Sequence, residues 1–156
     1  MYITKVLKYV EGLYPQQVEF RQAVAAMLHA LTPLLKKEPK YEKHAILERL
    51  IEPDRQVFFK VVWADDQGKI QINRGWRVQF NNALGPYKGG LRFHPSVNVG
   101  IIKFLGFEQV FKNALTTLNM GGAKGGAILT QKARAMQKSC AFVRLIWTNF
   151  TATSGP

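Results

Sequence analysis

Two strand-like segments joined by a short turn constrain the fold of this chain most strongly. Residues 56–64 are rich in Val and Phe, and residues 69–80 alternate apolar with polar side chains. The four residues between them, Asp65 to Gly68, are typical of a turn. Alternation gives a strand one buried and one exposed face. The pattern therefore predicts an antiparallel hairpin with one face packed against another layer.

Helical patterns flank the hairpin on both sides. Apolar residues recur at helical spacing in four segments, residues 2–13, 20–35, 45–51 and 97–118. Proline punctuates them, because it removes a backbone donor and clashes with the preceding turn. The glycine-rich segments 85–95 and 120–126 are predicted to be loops, the first with a short extended piece at 90–93. The order of elements predicts helices packed on a mixed sheet.

Composition limits the possible classes of protein. The single cysteine, Cys140, excludes a disulfide framework, and no apolar run reaches transmembrane length. No signal core follows the N-terminus, so a cytoplasmic protein without a membrane partner is expected. The net charge of +12 would suit a nucleic-acid binder. The basic residues are scattered, however, and no zinc-finger or RNA-recognition motif is present, so we expect no nucleic-acid partner.

Three lysines lie in or near glycine-rich segments and are the candidate functional residues. Lys88 precedes Gly89 and Gly90, Lys124 lies between two pairs of small residues, and Lys112 lies on a helix between them. Three ammonium groups brought together would bind a small dianion, whereas three unrelated surface lysines would not. A lysine in a dry pocket beside other cations has a lowered pKa and can act as an acid or base.

Other chemistries fit the sequence less well. The segment 121–126 matches neither the phosphate-binding P-loop nor the Gly-x-Gly-x-x-Gly dinucleotide fingerprint, and it follows a helix rather than a strand. We therefore expect no cofactor site in this chain. The three histidines are far apart in the sequence, which argues against a metal site.

Four stretches in fixed order resemble the glutamate dehydrogenase family, closest to its bacterial NADP-dependent type. They are Asn73–Phe80, Gly85–Pro95, Lys103–Asn113 and Met120–Gly126. The resemblance covers roughly residues 1–126 and implies an α/β fold with three layers, helix–sheet–helix, around a mixed sheet. It identifies residues 1–126 as a substrate-binding and assembly domain, and it implies a homo-oligomer, a hexamer in the family. The family's dinucleotide-binding domain is expected to be absent here.

The same resemblance assigns roles to four residues. Lys88 would bind the side-chain carboxylate of glutamate or 2-oxoglutarate, and Lys112 with Gln109 would bind the α-carboxylate. Lys124 corresponds to the catalytic lysine that polarises the carbonyl. Gln109 and Lys112 are three residues apart on a helix and so share a face. Asn119 replaces the family's usual proline, which predicts a less rigid glycine segment.

The sequence of residues 127–156 departs from the usual sequence of the family, and this departure indicates a shifted reading frame. A back-translation of the family's usual continuation, read one nucleotide later, encodes residues 128–155. The chain is therefore interpreted as a truncated enzyme that carries the dicarboxylate site and is inactive alone. NADP would be used only by the complete parent enzyme. Two alternatives stay open, an assembly module that joins intact subunits and a basic nucleic-acid-binding protein.

Overall fold

The computed structural model describes residues 2–65 and 67–129. Six helices precede or cross a sheet of five strands in this part of the chain. The helices are α1 Tyr2–Leu13, α2 Val18–Ala30, α3 Thr32–Lys37, α4 Lys40–Lys43, α5 Ile46–Ile51 and α6 Val99–Ala114. The strands are β1 Arg55–Ala64, β2 Ile70–Asn81, β3 Tyr87–Lys88, β4 Leu91–Phe93 and β5 Gly121–Ala127.

The hairpin prediction is confirmed. Strand β1 pairs antiparallel with β2 over its whole length, from Arg55 opposite Gln79 to Ala64 opposite Ile70. Asp65 closes the turn, because its carboxylate accepts hydrogen bonds from the backbone of Gln67 and Lys69. An aspartate that bonds backbone amides ahead of it in this way stabilises a tight turn.

The rest of the sheet is mixed, as expected. The strand order is β1-β2-β5-β3, and β4 also pairs with β5. Strand β5 runs antiparallel to β2 but parallel to β3 and β4. It therefore lies between the hairpin and the two short strands, and every strand of the candidate site touches it.

The prediction that residues 120–126 form a loop was wrong, because residues 121–127 are strand β5. Glycine is usually depleted in strands, since it has no side chain to pack. Here the missing side chains allow helix α6 to lie directly on the strand. A Cβ added at Gly122 would overlap Val110 and lie 2.7 Å from its Cα, and one at Gly126 would lie 2.7 Å from Cδ1 of Ile102. Sequence propensity could not show this close approach.

Two helix boundaries also differ from the sequence prediction. The apolar stripe over residues 20–35 is divided into α2 and α3, because Pro33 lies at the start of a new helix, where its missing N–H costs nothing. Helix α6 ends at Ala114 rather than near residue 118, and Leu115 is 86% exposed. The start of α6 is fixed by Asn98, whose side chain accepts a hydrogen bond from the backbone of Ile101 at 3.0 Å.

The main core lies between the sheet and the helices. Apolar faces of α1, α2, α5 and α6 meet Val78 and Phe80 of β2 in one cluster, with Phe20 at its centre. A second, smaller cluster contains Phe59, Val61, Ala127 and Leu129. The mixed α/β class is confirmed, and within residues 2–65 and 67–129 the buried helix faces belong to the first cluster. No helix in this part of the chain is long and apolar enough to span a membrane.

Candidate functional site

Strand register brings the charged residues of the glycine-rich segments to one face of the sheet. Lys88 lies opposite Gly122, and Arg92 lies opposite Gly126, across the β5 ladder. Lys124 lies between these two glycines on β5. Since side chains two apart on a strand share a face, as do directly paired residues, Lys88, Arg92 and Lys124 project from the same face.

That face is the one covered by helix α6. The Cβ positions of Gly122 and Gly126 point at Val110 and Ile102, which are both α6 residues. Gly106 of α6 lies over Lys124, because a Cβ at Gly106 would be 3.6 Å from that of Lys124. The candidate site therefore lies between strands β3 to β5 and the C-terminal half of α6.

Lys124 is partly buried, and its ammonium group lies close to Gly90. A Cβ added at Gly90 would be 3.6 Å from the Lys124 Nζ, an ordinary van der Waals contact. Burial lowers the pKa of Lys124, and the positive charges of Lys112 and Arg92 lower it further, whereas Glu108 opposes them. A lysine with a lowered pKa is the better acid–base group near neutral pH.

Helix α6 brings both signs of charge to the site. Lys112 lies in its last turn, where the helix dipole favours a cation, and Glu108 lies one turn earlier. Both side chains are exposed, yet both act electrostatically on Lys124. Two cations, Lys112 and Arg92, and one carboxylate thus act on the Lys124 ammonium, leaving a net positive environment.

Gln109 and Asn113 tie α6 to the strands. Asn113 is 2% exposed, and its Nδ2 donates to the carbonyl of Gly121 at 2.6 Å and to that of Lys88 at 3.1 Å. Gln109 Nε2 donates to Asn113 Oδ1 at 2.8 Å. This amide pair fixes β3 against β5 at the lysine positions, and Gln109 retains one further N–H for a ligand.

The structure extends the set of site residues found from the sequence. Lys124, Lys112 and Lys88 lie on elements that meet at α6, and Lys88 is exposed while Lys124 is half-buried. Sequence reasoning missed Arg92, Glu108 and Asn113. Asn113 carried a signal, because it follows Gln109 by one helical turn, but Arg92 became recognisable only from the pairing of β4 with β5.

Replacing Glu108 by glutamine is expected to lower the pKa of Lys124 further, because the opposing negative charge is removed. NMR titration of ¹³C-dimethylated lysines would measure the shift. Glu19→Gln on α2 removes an equal charge elsewhere and is the matched control. An unchanged Lys124 pKa in the Glu108 variant would contradict the described charge arrangement.

Comparison with known proteins identifies the family. The model of the Glu/Leu/Phe/Val dehydrogenase dimerisation domain matches residues 53–156. The chain belongs to the Glu/Leu/Phe/Val dehydrogenase family. Its resemblance to glutamate dehydrogenases is confirmed by relatives with that name. The NADP-specific glutamate dehydrogenase of Helicobacter pylori is 56% identical over 99% of this chain, and the NAD-specific enzyme of Porphyromonas gingivalis is 51% identical over 97%.

Solved structures of dehydrogenases in this family agree with the fold. The crystal structure of Plasmodium falciparum glutamate dehydrogenase matches with a TM-score of 0.90 and 49% identity, over 99% of this chain and 33% of that one. The chain spans about a third of its curated relatives, 35% of the H. pylori and 34% of the P. gingivalis enzyme. The matched ranges continue through residues 127–156, beyond the limit that the sequence motifs set at Gly126.

The glycine-rich segment of this dehydrogenase-family chain does not have the form of a phosphate-binding loop. The segment is a strand whose glycines face Val110 and Ile102, rather than a loop that presents amides to phosphate. Residues 2–65 and 67–129 also contain no group of three or more His, Cys, Asp or Glu side chains that could hold a metal ion.

Proposed function

We propose that this chain is the dicarboxylate-binding and assembly part of an NADP-dependent glutamate dehydrogenase. The complete parent would interconvert L-glutamate, water and NADP⁺ with 2-oxoglutarate, ammonia and NADPH. The observation that carries the proposal is the shared face of Lys88, Arg92 and Lys124, closed by Lys112 of α6. Clustered cations with a single opposing carboxylate favour a small dianion over a neutral ligand.

Each lysine has a distinct role in this proposal. Lys88, exposed at the outer strand, binds the side-chain carboxylate of the substrate. Lys112 binds the α-carboxylate, and the second N–H of Gln109 Nε2 supports it, while the first remains on Asn113. Charge-assisted hydrogen bonds of this kind are stronger than neutral ones and fix the substrate's orientation.

Lys124 performs the acid–base step. Its lowered pKa allows the amine to exchange a proton with the attacking water or ammonia near neutral pH. In the ammonium form it polarises the substrate carbonyl. NADP supplies hydride chemistry only in the complete parent, and the preference for NADP over NAD is part of this proposal, since relatives of both specificities match.

The proposal includes a shifted reading frame after Gly126, which would leave the chain truncated and inactive alone, although the family match itself extends to residue 156. Residues 127–156 lie almost wholly outside the described part of the chain. A cytoplasmic location likewise stays a prediction from the sequence.

Binding of 2-oxoglutarate to the chain is expected to weaken about 10- to 100-fold when Lys88, Lys112 or Lys124 is replaced by methionine. Each substitution removes a charged hydrogen-bond donor worth about 1.5–3 kcal/mol while keeping the length of the side chain. Isothermal titration calorimetry of each variant measures the effect. Lys36→Met on α3 removes the same charge outside the site and should leave affinity unchanged. Equal weakening by all four substitutions would contradict a specific site.

Accurate sequencing of the gene around the Gly126 codon is expected to show that the neighbouring reading frame encodes a family-like amino-acid sequence. One inserted or deleted nucleotide explains residues 128–155 without any selection on their packing. Restoring the frame should return glutamate dehydrogenase activity if the gene continues. If neither of the other two reading frames encodes a family-like sequence, the frameshift is removed from the proposal. The proposed dicarboxylate site does not depend on that result.

The hairpin supports a role in assembly. Strand β1 ends the sheet within the described residues, and Phe58, Ile70 and Ile72 are 61%, 61% and 67% exposed. The register of β1 and β2 puts these three side chains on one face. An exposed apolar patch beside an edge strand favours a second copy of the chain as its occupant, in agreement with the dimerisation-domain match.

Light scattering should detect oligomers, a hexamer for the complete enzyme, and Phe58→Lys should reduce them to monomers.

A further inference from the structure

A fully buried lysine lies in the core, away from the candidate site. Lys103 of α6 is 0% exposed. Its Nζ lies 2.9 Å from the centroid of the Tyr14 ring and 4.3 Å from that of Phe20. Aromatic faces attract an ammonium group, but they offer no strong hydrogen-bond acceptor. Nζ has no hydrogen-bond partner among the described residues.

Glu52, which follows α5, is the carboxylate that acts on this lysine. Its negative charge favours the ammonium form of Lys103 against the cost of burial. One oxygen, Oε2, accepts a hydrogen bond from the Tyr14 hydroxyl at 2.7 Å. The other, Oε1, is buried and has no partner in the described part of the chain. Tyr14 therefore lies between the two charges, with its ring towards Lys103 and its hydroxyl on Glu52.

Gln17, the N-cap of helix α2, contributes one more buried polar atom, Oε1, which has no hydrogen-bond partner among the described residues. The Gln17 side chain also contacts α6, because a Cβ at Gly100 would be 3.2 Å from its Cγ, and Gly100 is one turn before Lys103.

These three atoms have the chemistry of a water site. Lys103 Nζ is a donor, and Glu52 Oε1 and Gln17 Oε1 are acceptors. A water molecule accepts two hydrogen bonds and donates two, and buried waters typically satisfy polar groups of this kind. Leaving three such atoms unpaired would destabilise the folded state.

We propose that Gln17, Glu52 and Lys103 form an internal water-binding site, whose water links the Lys103 ammonium to the Glu52 carboxylate. The link joins α6 to α2 and to the chain after α5. Because α6 also carries Lys112 and Asn113, this link helps to hold α6 over the candidate site. This inference does not depend on the proposed function.

A double-mutant cycle tests the link between the two charges. Lys103→Met is measured by urea unfolding at neutral pH in the wild-type background and together with Glu52→Gln. We compare the change in the unfolding equilibrium constant that Lys103→Met causes in the two backgrounds. This change should be less favourable to folding by at least about threefold when Glu52 is present than when it is replaced by glutamine. Glu48→Gln, which removes a carboxylate that contacts Tyr2 instead, should be additive with Lys103→Met. Additivity of the Lys103 and Glu52 substitutions would overturn the proposal.

A high-resolution crystal structure of the chain tests the water itself. Density for a water within hydrogen-bond distance of both Lys103 Nζ and Glu52 Oε1 is the expected result. A direct contact between these atoms with no water, or an ion in the water's position, would overturn the proposal even if the two charges are coupled.

Discussion

Replacing Gly89 by alanine is expected to lower the free energy of unfolding by about 3 kcal/mol, because overpacking against backbone cannot be relieved by moving a side chain. A Cβ at this position would overlap the carbonyl oxygen of Ala123 and lie 2.5 Å from its carbonyl carbon. The same substitution should push the segment that carries Lys88 away from β5. We therefore expect weaker 2-oxoglutarate binding in whatever fraction of the variant remains folded.

Gly12→Ala is the matched control for this substitution. Gly12 lies in helix α1, and a Cβ there would meet nothing within 4 Å. Alanine is the better helix former by about 0.8–1 kcal/mol, so this variant should be more stable than the wild type. Urea unfolding measures both variants. A Gly89 variant as stable as the wild type would show that β3 does not lie against β5 as described.

Lys103 is expected to make stability rise with pH above neutrality. Burial lowers the pKa of Lys103 from 10.5 to about 7, although Glu52 opposes this shift. Below about pH 7 the lysine is charged in both the folded and unfolded states, and the full cost of burying the charge is present. Between about 7 and 10.5 the unfolded state binds more protons, so the free energy of unfolding increases with pH. Above this window the cost is absent.

Lys103→Met should abolish this increase. With about 1.36 kcal/mol per pKa unit, the wild type gains about 3 kcal/mol relative to the variant between pH 7 and about pH 9.5. This is an upper bound, because the Tyr14 and Phe20 rings favour the ammonium form. The other titratable groups around Lys103 are Tyr14 and Glu52, and the range stops below the ordinary tyrosine pKa because of Tyr14. Lys5→Met on the exposed face of α1 is the control, and parallel pH profiles for wild type and Lys103→Met would contradict the prediction.

The sequence determined the elements whose signals are local. The hairpin was predictable because alternating side chains and an aspartate-led turn specify pairing between adjacent segments. Helices α1, α2 and α5 were predictable in position because their apolar residues recur at helical spacing. The ordered motifs of four stretches also indicated the family, and with it Lys88, Gln109, Lys112 and Lys124 as candidate site residues.

Tertiary structure alone decided the features that depend on distant partners. Residues 121–127 are a strand because glycines 122 and 126 accept the close approach of α6, which no strand propensity records. Arg92 joins Lys124 only through the parallel pairing of β4 with β5. Lys103 lies in the core although its residue type is usually exposed, because Tyr14, Phe20 and Glu52 surround it from other elements. The apolar periodicity of a segment indicates which of its own faces is buried. Burial and charge at a site, in contrast, depend on all the segments that meet there.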